Sequence, residues 1–255
     1  MRLRQVALIA HQIAPVAEQL RAVFGLEVGF RDPAVEVFGL KNVVMPVGGE
    51  FLEVLEPFRE DASGARYLAR RGGDAGYMVI TQDADALAHR ARLETLGVRV
   101  IARSPAGRYR FTHYHPGDCA GVLLSIDSVE ADEGWRAPLS DWPPAGHDWR
   151  EHRSRDSLGI ASVTLQSRDP VAACARWCEL LKTGALTNGD SLRIRLERGE
   201  IRFVNPLDDD GTGVVGLDIE VRDARAALER ARAAGLPVAA GAVQICGVVM
   251  RPVAK

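Results

Sequence analysis

The chain has 255 residues and a mass of 27.7 kDa, enough for two ordinary cores, and its 47% hydrophobic and 26% charged residues exclude a disordered or low-complexity polypeptide. A net charge of -2 provides no global basic field to gather nucleic acid or an anionic membrane, so neither is expected as a partner. Four scattered cysteines, Cys119, Cys174, Cys178 and Cys246, do not make a disulfide framework, and the opening apolar run stops at His11, far short of a membrane span. No secretory leader is expected, and a reducing, cytoplasmic setting is the expectation.

One pattern returns four times along the chain. A strand over Gln5 to Ile9 leads through His11-Gln12-Ile13-Ala14-Pro15 into a helix with Val16, Leu20, Val23 and Phe24 on one face and Gly25 as its stop. Three strands fit between Gly25 and Glu56: Val28–Phe30 or Val35–Leu40, then Asn42–Val47, then Phe51–Leu55. The second unit runs from Gly76 to Thr81 and through Asp83 into a helix over Ala84–Leu96, with Leu87, Ala91 and Leu96 as its apolar contacts. Strands at Val98–Ile101, Arg108–Tyr114 and Gly121–Ile126 complete it.

Between about Glu130 and Ser157 the periodicity disappears. Trp135, Trp142 and Trp149 recur there among Pro138, Pro143 and Pro144, and the prolines exclude a continuous coiled coil. This segment is either a linker pinned by its indoles or a lid over a ligand cavity. The third unit starts near Ile160, with Asp169 capping the helix Val171–Leu181; the fourth starts near Gly216, with a helix Ala224–Ala234 after Asp223. Their tails, Gly184 to Asn205 and Gly235 to Val253, are short and lose either a strand or most of a loop. The fold class is therefore α+β, built from two tandem pairs of βαβββ modules with the second pair abbreviated. Domains are expected at 1–130 and 158–255, joined by the linker or lid at 131–157.

Several of these segments resemble the vicinal-oxygen-chelate superfamily of glyoxalase, bleomycin-resistance and dioxygenase-like proteins. Leu3-Arg4-Gln5-Val6-Ala7-Leu8 is similar to the strand that opens its first module, and Phe51-Leu52-Glu53-Val54-Leu55-Glu56-Pro57 to the strand that closes it. Gly76-Tyr77-Met78-Val79-Ile80 resembles the strand that opens the second module. The run from His115-Pro116 through Gly121-Val122-Leu123-Leu124-Ser125 resembles the one that closes it. The resemblance places the family's metal ligands on Gln5, Glu53, Gly76 and Ser125, where only Glu53 is the expected residue. In the second half the equivalent positions are Ser162, Arg202, Gly216 and Arg251, two of them positively charged. The implied metal site is thus degenerate, and neither a metal nor another cofactor is expected.

The function expected from this pattern is binding of a small apolar or carbonyl ligand by residues 1–130. Glu53 is the candidate catalytic base or polar anchor, and Gln5, Asn42, Glu53, His113, His115 and Ser125 are the candidate ligand contacts. A glyoxalase-like lyase or isomerase, metal-dependent or using Glu53 as base, is one alternative; a structural protein with a filled pocket is the other. His113 and His115 share a face if both lie on one strand, and Arg108 and Arg110 are an anion clamp or a solvated edge. The second module pair either completes a monomer or offers a homodimer face.

Overall fold

In the computed structural model, residues 1–130, 134–188 and 191–255 are described; the expectations that fall on 131–133 of the linker and on 189–190 of the third unit lie outside them. The first module consists of β1 (Arg2–Ile9), α1 (Ile13–Phe24), β2 (Leu40–Val47) and β3 (Glu50–Pro57). A helix not foreseen in the sequence, α2 (Ser63–Arg71), leads to the second module: β4 (Ala75–Gln82), α3 (Ala86–Thr95), β5 (Val100–Arg103), β6 (Tyr109–Arg110), β7 (Thr112–Tyr114) and β8 (Leu123–Val129). The third comprises β9 (Ser157–Ser167), α4 (Pro170–Leu181), β10 (Leu186–Asn188), β11 (Ser191–Arg195) and β12 (Glu200–Val204). The fourth comprises β13 (Thr212–Val221), α5 (Ala224–Ala233), β14 (Val238–Ala239), β15 (Ala242–Ile245) and β16 (Val248–Ala254).

The strands form two mixed sheets, in the orders β2-β3-β1-β4-β8-β7-β5 and β10-β11-β12-β9-β13-β16-β15-β14, with β6 paired to β8. Each module of the second pair keeps three strands after its helix, so the abbreviation falls on loop and strand length. In the first module the ambiguous stretch after α1 becomes a single bridge from Phe30 to Val44 and a 3-10 turn over Pro33–Phe38, started by proline and capped by Asp32. Proline fixes φ in the helical range and lacks the N–H that a ladder needs, which favours the turn over a strand there.

The chain divides into two compact units, each drawing on both halves of the sequence: residues 1–5, 77–141 and 162–214 in one, and 6–76, 142–161 and 215–255 in the other. In the second of these, α1 buries Val16, Leu20, Val23 and Phe24, ends at Gly25 in the left-handed region (φ 64°), and has its first N–H capped by the Glu56 carboxylate at 2.8 Å. Gly48 (φ 65°) there admits no side chain, because a Cβ would lie 1.9 Å from the Leu158 carbonyl oxygen. In the first unit, α4 is capped by Asp169 and packs Trp177 edge-on against Phe203, with ring centroids 6.2 Å apart. Helix α3 departs from its expected face. Asp85, not Asp83, accepts its capping bond, Ala86 and Leu93 turn inward seven residues apart, and Leu87 and Leu96 are left exposed. No helix among the described residues is long and apolar enough to cross a membrane.

Candidate functional site

Asn42 and Glu53 come together on the β2-β3 hairpin. Val44 lies opposite Glu53 and Asn42 opposite Leu55, so the antiparallel ladder puts all four on one face. The Asn42 amide donates to Glu53 Oε1 at 2.6 Å, while its Oδ1 accepts the Asp32 N–H at 2.8 Å. Glu53, only 6% exposed, is therefore engaged by an amide that is itself anchored to the preceding loop. Two residues before it, Phe51 stacks on Trp142 (centroids 6.3 Å apart, planes 15° from parallel) and meets Trp149 edge-on at 4.9 Å. Both indoles are fully buried. They cover this face as core side chains do, which favours the pinned linker over the lid for this part of 131–157.

A second polar group gathers in the second module. β4 and β8 run parallel with Ile80 opposite Ser125 and Gln82 opposite Asp127, and β7 places His113 opposite Ser125. Gln82, Ser125, Asp127 and His113 consequently share a face. Ser125 Oγ donates to Asp127 Oδ1 and lies 3.1 Å from the Thr112 carbonyl, while Tyr109 donates its hydroxyl to Asp127 Oδ2. Burial pushes the Asp127 carboxyl up to about 7, the hydroxyls and the Thr112 N–H offsetting part of that rise. Desolvation pulls His113 down to about 4, so its imidazole is neutral at physiological pH.

Along the edge of this group, Tyr109, Phe111 and His113 form a half-buried aromatic stripe at strand spacing, with successive ring centroids 5.8 and 4.7 Å apart. Gln82 is fully buried, and neither its amide oxygen nor its nitrogen has a hydrogen-bond partner. A buried amide with both ends unused is costly in a core and is the kind of group that a polar ligand satisfies. The sequence reading missed both Gln82 and Asp127. The alternation Ser125-x-Asp127 and Tyr109-x-Phe111-x-His113 was the signal available for them.

The remaining expected residues are scattered. Gln5 is buried on β1. His115 does not share a strand with His113, because β7 ends at Tyr114; its Nδ1 accepts the Gly117 N–H at 3.0 Å and caps the turn that follows. The condition for a histidine pair on one face, that both lie on one strand, is not met. Arg108 and Arg110 are tied to Asp141 and Glu130 at 2.6 and 3.0 Å, so neither is held ready for a ligand anion.

The superfamily's metal would require donors at Gln5, Glu53, Gly76 and Ser125, and the chemistry present does not fit it. Glu53 is bound by Asn42, Ser125 is committed to Asp127 and Thr112, and Gly76 contributes only a carbonyl that accepts the Tyr67 hydroxyl at 2.8 Å. Among the described residues, no group of three His, Cys, Asp or Glu side chains is placed to hold an ion. In the second sheet Ser162 lies opposite Glu200, and Arg251 lies opposite Asp218, 3.5 Å from its carboxylate.

Among solved structures, a variant of 4-hydroxymandelate synthase from Streptomyces coelicolor aligns with 92% of this chain and 75% of its own, at 17% identity and a TM-score of 0.67. Methylmalonyl-CoA epimerase from Streptomyces coelicolor aligns over 51% of this chain and 99% of its own, at 27% identity and a TM-score of 0.47. The Mycobacterium tuberculosis epimerase aligns over 50% and 87%, at 20% identity and 0.46. The synthase speaks for the fold alone, and the epimerase alignments are too loose to carry function. No curated protein matches. The family model described as "Glyoxalase-like domain" matches residues 6–181, more than half of the chain, and this protein belongs to that family, within the vicinal-oxygen-chelate superfamily.

Proposed function

We propose that the protein binds a small, largely apolar organic molecule bearing a carbonyl group, and that the second module's face is where it binds. The observation that carries this reading is the fully buried Gln82 amide with no partner, set beside Asp127 on the ladder. A carbonyl oxygen would accept from the Gln82 amide nitrogen, and an aromatic or aliphatic body would lie along Tyr109, Phe111 and His113. Ser125 holds Asp127 in place, and Asp127, titrating near neutrality, can offer either a proton or a lone pair to the same ligand. Of the residues expected from the sequence, His113 and Ser125 belong to this group.

A different role is favoured for Asn42 and Glu53. With Trp142 and Trp149 packed on Phe51 and the carboxylate already paired, that face has the character of a filled pocket, the structural alternative confined to one module.

Calorimetric titration of the full chain with acetophenone tests the reading, with ethylbenzene as the control that lacks the carbonyl. Saturable binding of the ketone is expected, weakened about 10-fold or more by Gln82→Leu and unaffected by Glu53→Gln. Equal binding of ethylbenzene would remove the carbonyl from the proposal. Loss of binding in Glu53→Gln but not in Gln82→Leu would move the site to the first module.

A further inference from the structure

The second and third modules meet around a cavity of about 410 Å³. Asp83 and His89 line it from the start of α3, Lys182 and Thr183 from the end of α4, and Arg195 and Glu197 from the end of β11, all within one compact unit. The acids of this cavity are already matched. Glu197 accepts from Arg136 Nε at 2.7 Å and from the Met1 amino group at 2.9 Å. Asp83 lies 2.8 Å from His89 Nε2 and 3.7 Å from the same amino group. The two carboxylates thus face an ammonium and a guanidinium, which leaves no net negative charge on that wall.

The cations opposite are not matched. Among the described residues, the side chains of Lys182, Thr183 and Arg195 have neither a hydrogen bond nor an ion pair. Glu200 lies across from Arg195 on β12, but its carboxylate goes to Arg202 at 2.6 Å and to Arg193 at 3.5 Å. The carbonyl end of α4, which would repel an anion, is covered: Arg92 donates to the Glu179 and Leu180 carbonyls, and the Thr183 N–H to that of Cys178. His89 adds a buried Nδ1 with no hydrogen bond, so the wall keeps polar capacity that the protein does not use. Two unmatched positive charges lining one hollow concentrate a positive potential inside it, where an anion is attracted more strongly than on an open surface.

We propose that this cavity binds a small oxyanion, a carboxylate or phosphate group, between the Lys182 ammonium and the Arg195 guanidinium, with the Thr183 hydroxyl as a further donor. Asp83 and Glu197, held by their own partners, mark the opposite wall and leave the oxyanion to the two cations. The cavity shares no residue with the carbonyl-binding face and stands or falls without it.

The test is calorimetric titration of the untagged full chain with sodium phosphate and, separately, sodium acetate, against sodium chloride at matched ionic strength. Saturable binding of at least one oxyanion and none of chloride is expected. Phosphate binding tighter than acetate assigns the site to phosphate groups, and acetate binding as tight or tighter assigns it to carboxylates. Lys182→Gln and Arg195→Gln are each expected to weaken binding about 5-fold or more, and the double variant to abolish saturation, whereas Arg225→Gln on α5 leaves binding unchanged. Both cations are exposed and unpaired, so neither substitution threatens folding. No saturable binding of either oxyanion, equal binding of chloride, or affinity indifferent to both substitutions overturns the proposal.

Discussion

The first two modules each bury an acid on the closing strand, Glu53 on β3 and Asp127 on β8, and treat them differently. Glu53 has an amide partner that is itself anchored, and its neighbour Phe51 lies under two indoles. Asp127 has hydroxyl partners, titrates near neutrality, and adjoins a glutamine whose amide is unused. A satisfied polar group in a packed face serves folding. An unsatisfied one beside a titrating acid and an accessible aromatic stripe is where a ligand finds something to do. On the proposed function, duplication has left one site to structure and the other to binding, and each of the following experiments presses on that contrast.

The largest effect belongs to the packed face. Truncating Trp142 or Trp149 to alanine should cost about 3–5 kcal/mol by removing a fully buried indole from Phe51. Chemical denaturation measures this, and a loss near zero would show that the indoles are a removable lid.

Next in size is the pH response of the second module. Asp127 has a folded pKa of about 7, above its ordinary value of 3.8, so the folded state holds the extra proton and stability falls as pH rises from about 4 to about 7. His113 has a folded pKa of about 4, below its ordinary 6.5, so stability falls as pH drops from about 6.5 to about 4. Each contribution is on the order of 3–4 kcal/mol, and between about pH 4 and 6.5 they oppose one another. The native protein should therefore show a shallow profile there. His113→Phe, which keeps the ring against Phe111, should unmask the decline toward neutral pH; Asp127→Asn should unmask the decline toward acid. Denaturation midpoints across pH 4–8 report both, and profiles unchanged by either substitution would mean that neither group is desolvated in solution.

How much of this was legible in the sequence follows from what each signal depends on. The four strand-to-helix starts were visible because apolar periodicity and Asp, Pro and Gly punctuation are local, and the caps at Asp169 and Asp223 show it. The face of α3 was misplaced because a two-residue shift of the helix start, from Ala84 to Ala86, turns a helix by more than half a revolution. Family positions led to Glu53 and Ser125, whereas Gln82 and Asp127 become neighbours only through the β4-β8 register, which no local pattern encodes. The same limit applied to His115, which falls just past the end of β7 and not on one strand with His113.

Removing the Gln82 amide separates the two modules more sharply. In a core, a leucine of similar volume in place of a buried amide with no partner should stabilise the free protein by about 1–3 kcal/mol, since the desolvation cost disappears with the polar atoms. If the amide is retained for a ligand, the same Gln82→Leu variant gains stability and loses acetophenone affinity together, the signature of a group kept against stability for function. Destabilisation on this substitution would instead give Gln82 a structural partner and return the second module to the same class as the first.

The smallest effect is expected at Glu53, and its smallness is informative. Glu53→Gln preserves shape and leaves an amide oxygen to accept from Asn42, so the charge assistance of that 2.6 Å bond is lost, about 0.5–1.5 kcal/mol. A base or polar anchor would respond in another way: ligand affinity or turnover would fall steeply while stability scarcely moved, because the carboxylate's interaction would be with the ligand and not with Asn42. Asn42→Ala completes the comparison. It withdraws the amide and leaves the buried carboxylate without that donor, so a structural pair predicts a larger stability loss from Asn42→Ala than from Glu53→Gln, with the double variant less destabilised than the sum of the two. Additive losses in that cycle would mean that the two side chains act separately, and Glu53 would again be the acid to test for chemistry.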